Sequence, residues 1–134
     1  MLCSSANGRT LTKLVLAFIF AGTLAFGGLA QGKDSGAGVA TVPLASLPVQ
    51  AQRTETLIRS GGPFAHSKDG VVFGNRERIL PARQRGFYRE YTVPTPGERS
   101  RGARRIVCGG KVATQPEACY YTADHYASFS RIVP

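Results

Sequence analysis

From residue 61 onward, glycine and proline divide the chain into short segments, and this spacing constrains the fold more than any other feature. The segments between them are rich in Val, Ile, Tyr and Phe, and they are too short for helices. Such a pattern is typical of short antiparallel strands joined by loops. We predict strands near residues 71–73, 87–93, 104–108, 119–123 and 128–132.

A single amphipathic helix is predicted ahead of these strands. Its buried face is marked by residues three or four positions apart, namely Leu47, Ala51, Thr54 and Ile58. Ser46 is placed to cap the helix, Pro48 suits its first turn, and Gly61 follows its end. One N-terminal helix packed on a twisted antiparallel β-sheet is an α+β architecture.

The first thirty residues have the pattern of a secretory signal peptide. Arg9 and Lys13 precede an apolar run, and small residues lead to a cleavage site expected after Ala30. The run is short for a membrane span, which needs about 20 apolar residues, although an uncleaved anchor stays open as an alternative. We expect a secreted or periplasmic protein without stable membrane association, organised as leader (1–30), flexible segment (31–41) and one domain (42–134).

The chain is strongly basic, with a formal net charge of +9 at pH 7. Removal of the leader would take away Arg9 and Lys13 and no acidic residue. A small exported domain of this charge favours a polyanionic partner, which could be nucleic acid, an acidic polysaccharide or an anionic membrane. Charge alone does not separate these partners.

The cysteines bear on oxidation and on metal binding. Cys3 would leave with the leader, so that Cys108 and Cys119 would remain as an even pair. An oxidising compartment favours one disulfide between them, with two free thiols as the alternative. With His66 and His125 they could also be zinc ligands, but their spacing lacks the close pairs typical of structural zinc. No metal or cofactor is expected.

Alternation along two strands places two charged side chains on one face of the sheet. Glu90 points away from its neighbour Tyr91, which is an expected core residue. Arg105 similarly points away from Ile106. If Ile106 packs on the helix, Glu90 and Arg105 face the same cleft.

Such a cleft fits the metal-free cleavage of RNA, in which the 2′-hydroxyl attacks the neighbouring phosphate. The reaction needs a base for the hydroxyl proton, an acid for the leaving oxygen and fixed cations for the phosphate charge. Glu90 is the candidate base, and His125 the candidate acid, because histidine titrates near neutrality. Arg101 and Arg105 are the candidate cations, since arginine suits bidentate phosphate contact. Taken singly, each residue is also consistent with an ordinary solvated surface.

The segment FGNRE, residues 73–77, is a candidate for recognising guanine. Guanine presents an acceptor at O6 and donors at N1 and N2, which backbone N–H groups and one carboxylate would match. Glu77 is the candidate carboxylate, and the backbone amides of Asn75 and Arg76 are the candidate donors. Phe73 or Tyr126 could stack on the base, although core packing is the alternative for Phe73.

Four stretches taken in order resemble the microbial guanyl-preferring ribonucleases, the family that includes barnase: DGVVFGNRE, REYTVPTPG, RGARRIV and YYTADHYASF. The resemblance covers about Leu44 to Ile132. It implies that Glu90 is the general base, that His125 is the general acid, and that phosphate is bound by Arg101 and Arg105. It further implies that the residues around the base and the phosphate site are Phe73, Asn75, Arg76, Glu77 and Tyr126.

The activity implied by the resemblance is endonucleolytic cleavage of single-stranded RNA after guanosine. Transesterification gives a 2′,3′-cyclic phosphate, and slower hydrolysis gives a 3′-phosphate, without a metal ion. The resemblance also implies a barstar-like inhibitor protein in the producing cell, and we expect a monomer. A basic RNA- or polyanion-binding module without catalysis is the alternative, but it leaves the matching base, acid and arginines unexplained.

Overall fold

The computed structural model describes residues 38–134. In this part of the chain a five-stranded sheet of order β1-β5-β4-β3-β2 packs on one α-helix, α1 (Val49–Ser60). The strands are β1 (Ala40–Pro43), β2 (Tyr88–Thr92), β3 (Arg105–Gly109), β4 (Ala118–Thr122) and β5 (Ser130–Val133). The α+β prediction is thereby confirmed. The predicted leader (1–30), and the flexible segment as far as residue 37, lie outside the described residues.

The strand pairing is antiparallel except at one edge of the sheet. β2, β3, β4 and β5 pair in that order, and their antiparallel pairing agrees with the prediction. β1 pairs parallel with β5, with Ala40 opposite Ser130. The prediction that residues 40 and 41 belong to a flexible segment is therefore wrong, because their backbone adds an edge strand to the sheet. The predicted purely antiparallel sheet is correspondingly a mixed one.

The long connection between α1 and β2 follows the edge of β2 without forming a full strand. The predicted strand at 71–73 is reduced to a single bridge between Val72 and Arg89. Backbone hydrogen bonds nevertheless join the N–H of Glu90 to the carbonyl of Val71 at 3.0 Å, and the N–H of Phe73 to the carbonyl of Tyr88 at 2.9 Å. The connection is thus fixed directly beside Glu90.

The helix α1 is confirmed, whereas its predicted cap is wrong. Pro48 occupies the N-cap position with no side-chain hydrogen bond, because Ser46 is already part of a 3-10 turn, Leu44–Ser46. At the other end Gly61 adopts a left-handed φ of 80° and donates to the carbonyl of Ile58, which ends the helix. Within residues 38–134, no helix has the length and apolarity that a membrane crossing requires.

The sheet carries a hydrophobic core on each face. The helix-side core contains Ala51, Ile58, Tyr91, Val93 and Ile106. The opposite core contains Leu80, Tyr88, Val107, Tyr120 and Phe129. The predicted alternation is therefore confirmed, since Tyr91 and Ile106 face α1. Their neighbours Glu90 and Arg105 point to the other face.

The predicted disulfide is present between Cys108 and Cys119. The two residues lie directly opposite each other on β3 and β4, and both are buried in the helix-side core. Closing a loop of this length stabilises the fold by about 3 kcal/mol. Because both sulfurs are oxidised, they are not available as zinc thiolates.

Candidate active site

A cleft of about 550 Å³ opens on the face of the sheet opposite α1. β2 contributes Glu90, the loop after residue 72 forms one wall, and the turn after β4 forms the other. The cleft brings together seven predicted site residues, which are Phe73, Asn75, Arg76, Glu77, Glu90, His125 and Tyr126. The other two adjoin it, since Arg101 hydrogen-bonds to Glu90 and the Arg105 guanidinium lies over the Tyr126 ring at 6.0 Å.

Glu90 accepts a hydrogen bond at each carboxylate oxygen. Oε1 accepts from Nη2 of Arg101 at 3.1 Å, and Oε2 accepts from the hydroxyl of Tyr126 at 2.6 Å. The Glu90 side chain is 13% exposed. Two donors therefore fix the orientation of the carboxylate while a part of it stays accessible from the cleft.

Arg101 is positioned by a buried aspartate and a threonine. Its Nε donates to Oγ1 of Thr92 at 2.7 Å, and its Nη2 lies 3.5 Å from Oδ1 of Asp69. The Asp69 side chain is 4% exposed, and the same Oδ1 accepts from the backbone N–H and the hydroxyl of Thr92, both at 2.7 Å. Asp69 thus connects the loop before β2, the end of β2 and Arg101.

Arg105 is a buried cation that is 2% exposed. Its Nη1 donates to the carbonyls of Arg104 and Arg101 at 2.7 and 3.3 Å, whereas its Nε is buried without an acceptor. Among residues 38–134, no carboxylate lies within ion-pair distance of this guanidinium. Burial of a cation without a counter-ion is unfavourable. An anion that enters the cleft would therefore be attracted to Arg105.

His125 and Tyr126 lie on a tight turn after β4, and both have left-handed backbone, with φ of 55° and 72°. Such values are uncommon for residues other than glycine. Oδ1 of Asp124 stabilises the turn by accepting from the hydroxyl of Thr122 at 2.8 Å and the N–H of Ser128 at 2.9 Å. The hydrogen bond from the Ser128 hydroxyl, followed by those from the Ser128 N–H and the Thr122 hydroxyl, lowers the pKa of the Asp124 carboxyl to about 2. His125 is an exposed residue, and the turn places it in the lining of the cleft.

Tyr126 connects the two walls of the cleft. Burial raises the pKa of its hydroxyl to about 12, and the hydrogen bond to Glu90 adds to the increase. Tyr126 therefore stays protonated at neutral pH and remains a donor to Glu90. Its ring centroid lies 5.1 Å from that of Phe73 and 4.8 Å from that of His125.

The loop of residues 73–77 is shaped by the side chain of Asn75. Its Nδ2 donates to the carbonyl of Leu80 at 2.9 Å, and its Oδ1 accepts from the N–H of Leu80 at 3.2 Å. Asn75 has a left-handed φ of 46°, a conformation in which asparagine is enriched. Within the described part of the chain, the backbone N–H groups of Asn75, Arg76 and Glu77 have no protein acceptor. These donors are free to bind a ligand edge.

The match that identifies the family of this chain extends over the whole domain. A family model described as ribonuclease matches residues 30–133. The chain belongs to the ribonuclease family. This match, together with the guanyl-specific relatives of the chain, confirms the resemblance inferred from the four sequence stretches.

The relatives of this chain include guanyl-specific ribonucleases. Ribonuclease Sa of Kitasatospora aureofaciens is 58% identical over 92 residues, which are 69% of this chain and 92% of the relative. Ribonuclease Sa3 of the same organism is 56% identical over 94 residues, and the match spans 70% of this chain and only 64% of Sa3. The crystal structure of ribonuclease Sa2 with guanosine-2′-cyclophosphate superposes on this chain with a TM-score of 0.64. The two sequences are 47% identical, and the match covers 72% of this chain and 97% of the Sa2 chain.

The residues that sequence reasoning missed in this ribonuclease are those that position the site. Asp69 precedes a glycine, which signals a turn, but nothing in its neighbourhood indicates that its carboxylate reaches Thr92. Thr122 and Ser128 flank the recognised DHY stretch as ordinary polar residues. Their contribution depends on the turn geometry, which only the folded chain reveals.

Proposed function

We propose that this protein is a guanyl-preferring endoribonuclease that cleaves single-stranded RNA on the 3′ side of guanosine. The observation that carries the proposal is Arg105, which is buried with no counter-ion among residues 38–134 and adjoins the cleft that holds Glu90 and His125. A phosphate attracted to Arg105 lies where a base and an acid can reach it. The identity of 56–58% to guanyl-specific ribonucleases Sa3 and Sa supports the same activity.

The first step is an internal transesterification. Glu90 takes the proton of the guanosine 2′-hydroxyl, and the 2′-oxygen forms a bond to phosphorus. The bond from phosphorus to the 5′-oxygen of the next nucleotide breaks, and His125 gives that oxygen a proton. Arg101 and Arg105 stabilise the negative charge on the non-bridging oxygens. The products are a 2′,3′-cyclic phosphate and a free 5′-hydroxyl.

The second step reverses the roles of the same two groups. His125, now neutral, takes a proton from water, and the water oxygen attacks the cyclic phosphate. The bond from phosphorus to the 2′-oxygen breaks, and protonated Glu90 returns its proton to that oxygen. Every proton and charge in both steps is assigned to a side chain, so the proposal calls for no metal ion or cofactor.

Guanine recognition is assigned to the loop of residues 73–77. The unoccupied N–H groups of Asn75 and Arg76 donate to O6, and the Glu77 carboxylate accepts from N1 and N2. Phe73, whose ring contacts that of Tyr126 at 5.1 Å between centroids, lies beside the base, and Tyr126 lines the phosphate site. Adenine carries an N6 amino group in place of O6 and no donor at N1, so it would leave these groups unpaired.

The decisive experiment incubates the protein with a short single-stranded RNA that contains one guanosine, in chelator, and identifies the products by mass. We expect cleavage 3′ to the guanosine and a terminal 2′,3′-cyclic phosphate. The Glu90→Gln protein, checked for an unchanged circular dichroism spectrum, is the control against contaminating nucleases. Binding of the RNA by folded protein without cleavage would instead favour the non-catalytic polyanion-binding module.

Export is part of the proposal. Residues 1–30 are a signal peptide and 42–134 the catalytic domain, now extended to residue 40 by β1, and the protein acts as a monomer in the periplasm or the medium. The disulfide supports an oxidising location. Mass spectrometry of the protein from culture fluid and periplasm tests this, and a mature form that begins before residue 25 would contradict the assigned cleavage.

A cell that makes such an enzyme needs protection, and we propose an acidic, barstar-like inhibitor that occupies the basic cleft. Titration of the active enzyme with such an inhibitor should abolish RNA cleavage at a one-to-one ratio. Full activity in the presence of excess inhibitor would contradict this partner.

A further inference from the structure

A second cavity, of about 630 Å³, lies beside the active-site cleft. The two cavities share a single wall, the segment Val72–Arg76 that carries the guanine loop. The second cavity is completed by residues that the catalytic scheme does not use, namely Arg83, Gln84, Arg85, Gly86 and Tyr88. It therefore continues the cleft across the loop, away from Glu90 and His125.

The charge of this cavity is positive. Arg76, Arg83 and Arg85 line it and are exposed, and none of them forms an ion pair with an acidic side chain of residues 38–134. The guanidinium of Arg83 lies 4.9 Å from the centroid of the Phe87 ring. Stacking uses the face of a guanidinium and leaves its edge donors available, so Arg83 is oriented for an anion before one arrives.

The position of the cavity determines which part of an RNA strand can reach it. In the proposed function, on which this inference rests, the scissile phosphate is 3′ to the guanosine and lies at Glu90 and His125. The guanine lies on the loop of residues 73–77. We assign a strand that runs over the loop, away from Glu90 and His125, to the part that is 5′ to the guanosine. Val72, which is 45% exposed on the shared wall, offers apolar contact to a base on this path.

We propose that Arg83 and Arg85, with Arg76, form an upstream subsite that binds the phosphates of the nucleotides 5′ to the cleaved guanosine. The upstream subsite makes the enzyme select long single strands over short fragments. It acts on substrate binding, and it leaves the chemical step at Glu90 and His125 unchanged.

The test compares two substrates and two variants. The substrates are the dinucleotide GpA and the tetranucleotide UpUpGpA, each with one guanosine. Arg83→Ala/Arg85→Ala removes the subsite, and Arg53→Ala, an exposed arginine on α1, is the charge control. We expect kcat/KM of the double variant to fall about fivefold to twentyfold for UpUpGpA and less than twofold for GpA. The salt dependence for UpUpGpA should fall by about 0.7 in log–log slope per lost phosphate contact.

Several results would overturn the upstream subsite. Equal activity of parent and double variant on UpUpGpA would do so, and so would an equal loss on GpApUpU, which extends the substrate only on the 3′ side. If the parent cleaves no substrate, the proposed function fails, but UpUpGpA with 2′-deoxyguanosine still tests the subsite by binding. Weaker binding of this probe by the double variant than by Arg53→Ala supports the subsite, and equal binding refutes it.

Discussion

The catalytic wall (Glu90, Arg101 and Arg105) and the guanine loop (residues 73–77) lie on the same cleft but are built in opposite ways. In the wall, Glu90 and Arg101 are held by short hydrogen bonds, and Arg105 is almost completely buried. In the loop, consecutive N–H groups have no acceptor within residues 38–134, and Glu77 is exposed. Charges that act on a transition state have to be oriented in advance, whereas donors that recognise a base must be unpaired until it binds.

The largest expected effect is the loss of the base in the catalytic wall or of the acid on the turn after β4. Glu90→Gln and His125→Ala should each lower kcat for GpA by about 10²- to 10⁴-fold, because each removes one proton-transfer group. Steady-state kinetics with the purified variants measure this, and thermal unfolding confirms that they are folded. Losses below tenfold in both variants would sink the assignment of base and acid.

Replacement of the buried cation Arg105 should lower the activity without lowering the stability. Arg105→Met should lower kcat/KM by about 10²- to 10³-fold, since a charge that stabilises the phosphate is lost. Its free energy of unfolding should be retained or raised, because the change removes a buried charge that has no counter-ion in the described part of the chain. Urea denaturation beside the kinetics tests both parts, with Arg131→Met as an exposed control. A large loss of stability would show that Arg105 is a structural residue.

A change in the guanine loop should alter the selectivity for the base and leave the rate of the chemical step nearly unchanged. Glu77→Ala should reduce the preference for GpA over ApA by about tenfold to a hundredfold, because a pair of hydrogen bonds to the base is lost. Cleavage of ApA should be nearly unchanged. The ratio of kcat/KM for the two dinucleotides is the measurement, and an equal loss on both would remove Glu77 from base recognition.

The smallest effect is expected in the turn that carries His125. The folded pKa of Asp124, about 2, lies below its ordinary value of 3.8. Its contribution to stability is therefore present above pH 4 and is lost as the pH falls through 2. Asp124→Asn should unfold more easily than the parent at pH 7 and equally easily below pH 2. Denaturation at both pH values tests this, with Glu117→Gln as an exposed control, and a difference independent of pH would contradict it.

The sequence predicted those features that follow from the local spacing of apolar residues or from stretches that resemble a known family. The alternation around Glu90 and Arg105 correctly placed both residues opposite α1, because side chains on a strand alternate regardless of what surrounds the sheet. The helix was predicted from its three- and four-residue spacing. The site residues were taken from stretches with clear resemblance. The structure brings seven of them to one cleft and places Arg101 and Arg105 beside it, whereas their roles stay predictions.

The sequence could not predict contacts that depend on distant pairing. β1 was missed because a four-residue strand after a glycine-rich segment has no pattern of its own, and only β5 gives it a partner. The second core was missed because Leu80 and Phe129 come from loops. The Asp69 carboxylate is fixed by Thr92, 23 residues away, so its role could not be inferred from either segment alone.

The parallel pairing of β1 with β5 has a consequence for synthesis. Among the strands of residues 38–134, Ala40–Pro43 emerges first during translation, but the strand with which it pairs, Ser130–Val133, is about ninety residues later. Contacts of such wide sequence separation form late, because a long loop must close before they are gained. The sheet therefore cannot be completed until nearly the whole domain has left the ribosome. His125 is itself synthesised late and lies on the turn between β4 and β5, so until then the nascent chain holds Glu90 without its proposed general acid.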